Sequence, residues 1–169
     1  MVPHLLSSRL ALLAGLVLSA FLAGCGIGPR ATPQECMERA MYFESNRSSR
    51  DGMIAVGSVV MNRVRSPDFP NTVCGVVMQK NQFARGIMSR KMNLDSAPYI
   101  RAAARSVLRG ERHPYIGNSL YFHTATYRAR YNNINYVLTT GGNAFYEKRR
   151  PEDVTAPVPL PALEGVTGY

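Results

Sequence analysis

The sequence predicts an α+β fold that is mainly helical and ends in a small antiparallel β element. Segments whose apolar residues recur at helical spacing come first, and short segments rich in aromatic and β-branched residues come last. The 169-residue chain is 46% hydrophobic and 18% charged, a composition typical of a folded protein with a buried core. At this length we expect one compact domain beside an export segment.

The first predicted helix begins after Thr32 and runs to about Asn46. Residues 32–35 have the spacing of a capping box, and the proline after Thr32 suits the first helical position. One face of this helix is apolar except for a glutamate at its C-terminal end. Four residues fall at i, i+3, i+4 and i+7 and so share one face: Met37, Ala40, Met41 and Glu44.

The second predicted helix is capped by Asp51 and runs through Val64. It is apolar nearly all round, which predicts a buried central helix. Ser66-Pro67 ends it, because the residue before a proline disfavours helical geometry. After a turn-rich loop, Val73 to Gln79 is expected to be a short helical or extended piece.

The rest of the domain is predicted as one more helix and three short strands. The helix is capped near Asp95 or Ser96 and ends at Gly110. Residues 151–169 contain four prolines and no helical period, so they are expected to form an extended tail. The predicted strands, the last two joined by a tight turn at Gly141-Gly142, are Ser119 to Thr124, Tyr136 to Thr140 and Asn143 to Glu147.

Residues 1–24 have the pattern of a signal peptide. The apolar run from Leu10 to Ala23 is too short to span a bilayer, which takes about 20 residues. It ends in Leu22-Ala23-Gly24-Cys25, which resembles the lipobox of bacterial lipoproteins. The resemblance implies acylation of Cys25, a tether over residues 25–31 and, from Gly26, the periplasmic face of a Gram-negative outer membrane. A simple secretory signal and an uncleaved anchor are the alternatives.

The chain is strongly basic, with 20 Lys and Arg against 11 Asp and Glu and a formal charge of +9. An exported protein meets anionic murein and anionic lipid head groups, so nucleic acid is not expected as a partner. A solvated surface that merely favours polyanions is the alternative explanation. Cys36 and Cys74 would lie in an oxidising compartment and are expected to form a disulfide.

Glu44 is the sharpest candidate for chemistry. On an apolar helix face its charged form is disfavoured, so its pKa should rise, and a carboxyl group that keeps its proton can act as a general acid. Alternatively, Glu44 is exposed at a frayed helix end or forms a structural ion pair with Arg39 or Arg47. A hydrolytic glycosidase usually has a second carboxylate nearby, and Asp51 is the nearest later in the sequence.

Six sequence blocks stand out between residues 36 and 147: CMERAMYFESN at 36–46, GMIAVGSVVMNR at 52–63, FPNTVCGVV at 69–77, NQF at 81–83, YFH at 121–123 and GNAFY at 142–146. In this order they resemble the SleB-type cell-wall hydrolases over residues 36–147. The resemblance implies a lysozyme-like, lytic-transglycosylase-like domain over residues 32–150 that cleaves the MurNAc–GlcNAc strand of peptidoglycan. It places the family's essential glutamate at Glu44, and one carboxyl group then suffices because the muramic 6-hydroxyl is the nucleophile.

Two departures from the family pattern stand out. Ser48 occupies the position where the family often has a second glutamate, and residues 84–86 replace its aromatic and cysteine residues. Five side chains are candidates for lining a sugar groove, since amide, phenol and imidazole groups bind hydroxyls and aromatic faces pack on sugar rings. They are Gln82, Phe83, Tyr121, His123 and Tyr146. Ordinary strand packing is the alternative for Tyr121, Phe122 and Tyr146, and a structural role is the alternative for His123.

Three other functional classes are alternatives for this sequence. A zinc amidase needs about three metal ligands, whereas only His113 and His123 remain after processing, so neither a metal nor another cofactor is expected. A cysteine peptidase could use Cys36 or Cys74 with His123, unless the two cysteines are paired. The third class is a murein-binding lipoprotein that has lost the chemistry.

Overall fold

A computed structural model of the protein describes residues 31–45, 47 and 49–168. The predicted signal peptide, Cys25 and Ser48 therefore lie outside the described residues. None of the described helices is long and apolar enough to cross a membrane. The elements are α1 (Pro33–Glu44), α2 (Arg50–Arg65), α3 (Val73–Val77), a 3-10 turn (Leu94–Ser96), α4 (Ala97–Leu108), β1 (Tyr121–Thr124), β2 (Ile134–Thr140), β3 (Asn143–Lys148) and a 3-10 turn (Pro151–Asp153).

Helix α1 forms where the capping signal predicted it. The hydroxyl of Thr32 accepts the backbone N–H of Glu35 at 3.1 Å, and Pro33 occupies the first turn. The helix ends at Glu44, because the next residue, Ser45, is extended. Met37 and Met41 from the apolar stripe are fully buried in the core. Glu44 thus stands where the buried stripe reaches the end of the helix.

Helix α2 is the buried central helix that the sequence predicts, but Asp51 does not cap it. The N-cap is Ser49, whose hydroxyl accepts the N–H of Gly52 at 2.9 Å. Asp51 lies in the first turn and is only 1% exposed. Two residues suited to capping stand close together here, and Asp51 is instead held by the C-terminal tail.

Residues 73–77 adopt the helical alternative, and the disulfide between Cys36 and Cys74 joins this helix, α3, to α1. Helix α4 starts within the expected region. Ser96, which also ends the preceding 3-10 turn, is the N-cap residue as predicted, although its side chain makes no capping hydrogen bond.

Replacing both Cys36 and Cys74 with alanine should lower the free energy of unfolding by about 4 kcal/mol in the chain-entropy account. The disulfide closes a loop with a sequence separation of 38, which restricts the unfolded chain. Urea denaturation of the oxidised protein and the double variant measures the difference. Equal unfolding midpoints and slopes for the two proteins would contradict this expectation.

The three strands form an antiparallel sheet in the order β1-β3-β2. Strand β1 begins later than predicted and β2 earlier. Gly141 and Gly142 form the turn between β2 and β3 with φ values of +57° and +81°. A Cβ atom on Gly141 would lie 2.4 Å from the Cα of Gly52 in α2. The turn therefore packs directly on the start of α2, which brings the sheet close to the end of α1.

The C-terminal tail folds back over the domain. Beyond the 3-10 turn at Pro151–Asp153 it has no helix or strand up to residue 168. The N–H of Leu163 donates to the carbonyl of Thr139 at 2.8 Å, and the carboxylate of Glu164 accepts the N–H of Gly141 at 2.7 Å. The N–H groups of Val166 and Thr167 donate to Asp51 at 2.8 and 2.6 Å. The tail thus ties the β2–β3 turn to α2.

Candidate active site

A cleft of about 410 Å³ lies where the end of α1, α2 and the sheet meet. A cavity of about 460 Å³ elsewhere is enclosed by residues 77–89 and has no acidic or histidine side chain in its lining. The smaller cleft holds the titratable groups that chemistry would need. It is lined by Glu44, Arg63, Gln82, Phe122, His123, Thr124, Tyr127 and Asn143.

Glu44 is fixed in the cleft through its side chain and its backbone. Its Oε1 accepts the N–H of Ala84 at 2.5 Å, and its carbonyl oxygen accepts the side-chain amide of Asn143 at 2.5 Å. Burial raises the pKa of Glu44, whereas the Ala84 N–H and the charges of Arg63 and Arg90 lower it, and the net direction is upward. A protonated carboxyl group is therefore favoured at higher pH than for an ordinary glutamate.

The two alternative ion pairs are not formed. Arg39 pairs with Glu35 at 3.3 Å, four residues earlier on α1. The guanidinium of Arg47 lies 4.6 Å from the ring centroid of Tyr42. The two arginines that were candidates for an ion pair with Glu44 thus contact other side chains.

Arg63 is the principal site residue that the sequence reasoning missed. It is 3% exposed, and its Nε donates to the carbonyl of Leu120 at 2.7 Å. Its guanidinium carbon lies 5.1 Å from the ring centroid of Phe69 and 5.3 Å from that of Phe83. One of its terminal nitrogens is buried without a hydrogen-bond partner among the described residues. The sequence signal that could have identified Arg63 is its position as a cation among the apolar residues of α2.

Replacing Arg63 with glutamine should raise the pKa of Glu44 further, because the charge of Arg63 favours the ionised carboxylate. A carbon-13 NMR titration of the Glu44 carboxyl group measures the shift. Arg65→Gln on the same helix is the matched control and should leave the pKa of Glu44 in place. An unchanged pKa in the Arg63 variant would show that the cation does not act on Glu44.

His123 is held by hydrogen bonds at both ring nitrogens. Its Nδ1 lies 2.9 Å from the carbonyl oxygen of Thr124 and its Nε2 lies 2.8 Å from the hydroxyl of Tyr136. Since a carbonyl can only accept, Nδ1 donates, and in the neutral ring Nε2 accepts the Tyr136 O–H. The rings of Tyr127 and Tyr146 pack at 5.1 and 5.5 Å from it. His123 therefore lines the cleft in a fixed orientation.

The structure brings together three of the predicted site residues, since Glu44, Gln82 and His123 all line the cleft. Phe83 lines the cavity of about 460 Å³ and not the cleft, and its ring centroid lies 6.3 Å from that of Phe122. Tyr121 and Tyr146 stack on each other at 5.5 Å on neighbouring strands, and neither is a lining residue. Tyr121 and Tyr146 thus pack within the sheet, as their alternative expects, whereas Phe122, which shares that alternative, lines the cleft.

Several lining residues carried only a weak sequence signal. Phe122 lies within the YFH block, where strand packing is its alternative, and Asn143 lies within the GNAFY block without any signal that marks it as a site residue. Tyr127 and Thr124 reach the cleft only because the chain turns after β1.

The groups that a cysteine peptidase or a zinc amidase would need are not found among the described residues of this cleft. The disulfide leaves neither Cys36 nor Cys74 as a free thiol nucleophile. In the part of the chain that the structure describes, no three His, Cys, Asp or Glu side chains lie together as a metal site. Glu44 is the only carboxylate among the described lining residues of the cleft. Asp51, the nearest later carboxylate in the sequence, accepts hydrogen bonds from the tail instead.

Comparison with known proteins identifies this architecture. Residues 47–146 match a family described as Cell Wall Hydrolase. The spore cortex-lytic enzyme of Bacillus cereus is 43% identical over 49 residues, which are 29% of this chain and 19% of that protein. That of Halalkalibacterium halodurans is 29% identical over 92 residues, 54% of this chain and 27% of the relative. The chain thus spans less than a third of either relative.

Two solved structures share the fold. The catalytic domain of the germination-specific lytic transglycosylase SleB from Bacillus anthracis superposes with a TM-score of 0.57 at 28% identity, covering 73% of this chain and all of that one. The catalytic domain of the Bacillus cereus SleB protein gives 0.57 at 27% identity, covering 74% of this chain and 99% of that one. These neighbours confirm the predicted α+β fold class. Since the matched family also covers more than half of the sequence, the chain belongs to the cell wall hydrolase family.

Proposed function

We propose that the protein cleaves the MurNAc–GlcNAc strand of peptidoglycan as a lytic transglycosylase, with Glu44 as its general acid and base. The observation that carries the proposal is a single half-buried carboxyl group in the cleft, whose pKa is raised by partial burial. The SleB neighbour that is described as a lytic transglycosylase supports the reaction class. The family match begins at Arg47, just after Glu44, so the role of Glu44 rests on the site itself.

The reaction needs one carboxyl group in two protonation states. Protonated Glu44 gives its proton to the glycosidic oxygen as the bond from that oxygen to the muramic C1 breaks. The 6-hydroxyl oxygen of the same muramic residue then bonds to C1, and its proton passes to the Glu44 carboxylate. Glu44 ends protonated, and the product is a 1,6-anhydro sugar. Hydrolysis would instead need a group to activate water, for which a second carboxylate is the usual choice.

The surroundings of Glu44 suit this cycle. The N–H of Ala84 and the cation of Arg63 stabilise the carboxylate formed between the two proton transfers. Burial favours the protonated form of Glu44 before the first proton transfer and after the second. Gln82, Asn143 and Tyr127 supply polar groups for sugar hydroxyls, and Phe122 supplies an aromatic face.

We further propose that the mature protein is exported and anchored through an acylated Cys25. The support is the lipobox-like sequence, which lies outside the described residues. The outer-membrane location rests on Gly26 alone, and the curated relatives come from Gram-positive bacteria. The basic chain suits a surface facing anionic cell-wall polymers.

Mass spectrometry of fragments released from purified peptidoglycan by the full chain tests the reaction. The proposal expects 1,6-anhydromuropeptides. Reducing-end sugars would mean hydrolysis and free stem peptides would mean an amidase. If the folded protein binds peptidoglycan but releases no fragments, it is a murein-binding protein, an alternative that the substitution of Ser48 in the family pattern favours.

A further inference from the structure

A second, basic pocket lies beside Glu44 at the C-terminal end of α1. Its volume is about 360 Å³, and its three charged lining residues are all cations. The residues that line it are Tyr42, Phe43, Ser45, Arg47, Arg90 and Lys91. Nothing in the proposed glycan chemistry uses this pocket.

Two guanidinium groups in the pocket are held on aromatic rings. The guanidinium carbon of Arg47 lies 4.6 Å from the ring centroid of Tyr42, and that of Arg90 lies 4.5 Å from the ring of Phe43. The two rings pack edge to face with their centroids 4.7 Å apart. A stacked guanidinium keeps its N–H edge free to donate and has less side-chain freedom to lose on binding.

The segment that supplies Arg90 and Lys91 is pinned to α1. Arg39 donates from one nitrogen to the carbonyls of Ile87 and Arg90, at 3.0 and 2.9 Å. The hydroxyl of Tyr42 accepts the N–H of Asn93 at 2.8 Å. These bonds lie on both sides of Lys91, so the loop presents its cations at a fixed distance from the helix.

The pocket adjoins the candidate catalytic group. Phe43 and Ser45 are the immediate neighbours of Glu44 in the chain, and they line the pocket while Glu44 lines the cleft. Arg90 is close enough to act on the ionisation of Glu44. A ligand that fills both spaces must therefore carry an anionic group a short distance from the sugar whose bond is cleaved.

We propose that Arg47, Arg90 and Lys91 bind a carboxylate of the peptidoglycan stem peptide, so that the protein prefers peptide-bearing glycan strands to bare ones. The inference rests on the proposed function for its choice of ligand. The stem peptide is attached to the muramic residue and carries free carboxylates, which guanidinium groups bind through paired hydrogen bonds. The preference is a property of binding and needs no turnover.

Calorimetric titration of the full chain carrying Glu44→Gln tests the pocket without catalysis. The probes are a disaccharide–tripeptide muropeptide, the same disaccharide without peptide, and inorganic phosphate. We expect the muropeptide to bind about tenfold more tightly than the bare disaccharide, and phosphate to compete only weakly. Adding Arg47→Gln and Arg90→Gln should abolish this preference. Arg150→Gln, at an exposed arginine in the tail, should retain it.

Equal affinities for the two sugars would overturn the inference, as would a preference that survives loss of both arginines. Phosphate that displaces the muropeptide efficiently would mark the pocket as a phosphate site instead, and so overturn it too. The two proposals fail separately. Fragment release by the wild type without any peptide preference defeats only this one, whereas a peptide preference in a protein that releases no fragments defeats only the proposed enzymatic function.

Discussion

Replacing Glu44 with glutamine is expected to slow fragment release from peptidoglycan by about 10²- to 10⁴-fold, the usual contribution of a positioned general acid or base. Glutamine has nearly the same shape, and its amide oxygen can still accept the N–H of Ala84. It cannot give a proton to the leaving sugar oxygen or take one from the 6-hydroxyl. The rate of soluble fragment release measures the loss.

Glu38→Gln is the matched control because it makes the same change on the same helix. Glu38 accepts the amide of Gln34 at 2.7 Å and does not line the cleft. This variant should keep the wild-type rate. A Glu44→Gln protein that is folded and as active as the control would remove Glu44 from the mechanism.

A chain that ends at Leu163 is expected to lose roughly 2 kcal/mol of folding stability, because hydrogen bonds to a charged carboxylate contribute about 1.5–3 kcal/mol net and water replaces the lost donors. Asp51 is 1% exposed, and its described hydrogen-bond donors are the N–H groups of Val166 and Thr167 and the hydroxyl of Thr167. The truncation removes all three and also Glu164, which accepts the N–H of Gly141. Urea denaturation at neutral pH measures the change.

The same contacts make the loss depend on pH. Burial raises the pKa of Asp51, but the bonds from Thr167 and Val166 outweigh it and hold the pKa below its ordinary value. This stabilisation is present above the unfolded-state pKa and disappears as the pH falls through the lowered folded-state pKa. The full and truncated chains should therefore converge in stability in acid.

Val158→Ala provides the control for the tail, because Val158 is 64% exposed. It should change stability by less than about 0.5 kcal/mol. Equal unfolding midpoints for the truncated and full chains would show that the tail does not stabilise Asp51.

Local sequence patterns predicted the helices well because the helices depend on local chemistry. The capping signal at Thr32 and the apolar stripe through Met41 specify α1 without reference to the rest of the chain. The capping of α2 was misjudged because the partners of Asp51 lie 115 and 116 residues further along. No local pattern reports a bond of that range.

The candidate site was predictable only in part, for the same reason. The periodicity of α1 marks Glu44 as an acid on a buried face, whatever surrounds it. Arg63 and Asn143 become neighbours of Glu44 only through the packing of α2 and the sheet. Tyr121 and Tyr146 are of a residue type that often binds sugars, but the strand register pairs them with each other. A composition argument cannot distinguish a ring that stacks within the sheet from one that lines a cleft.

A carbon-13 NMR titration of the Glu44 carboxyl group in the full chain measures directly whether the proton that glycan cleavage needs is held there. Comparison with Glu44→Gln assigns the signal. We predict a pKa above the ordinary value of 4.5, because burial dominates the surroundings of Glu44, with fragment release declining as the group ionises. A pKa at or below that value, or release that persists unchanged after Glu44 has ionised, would contradict its role as the acid.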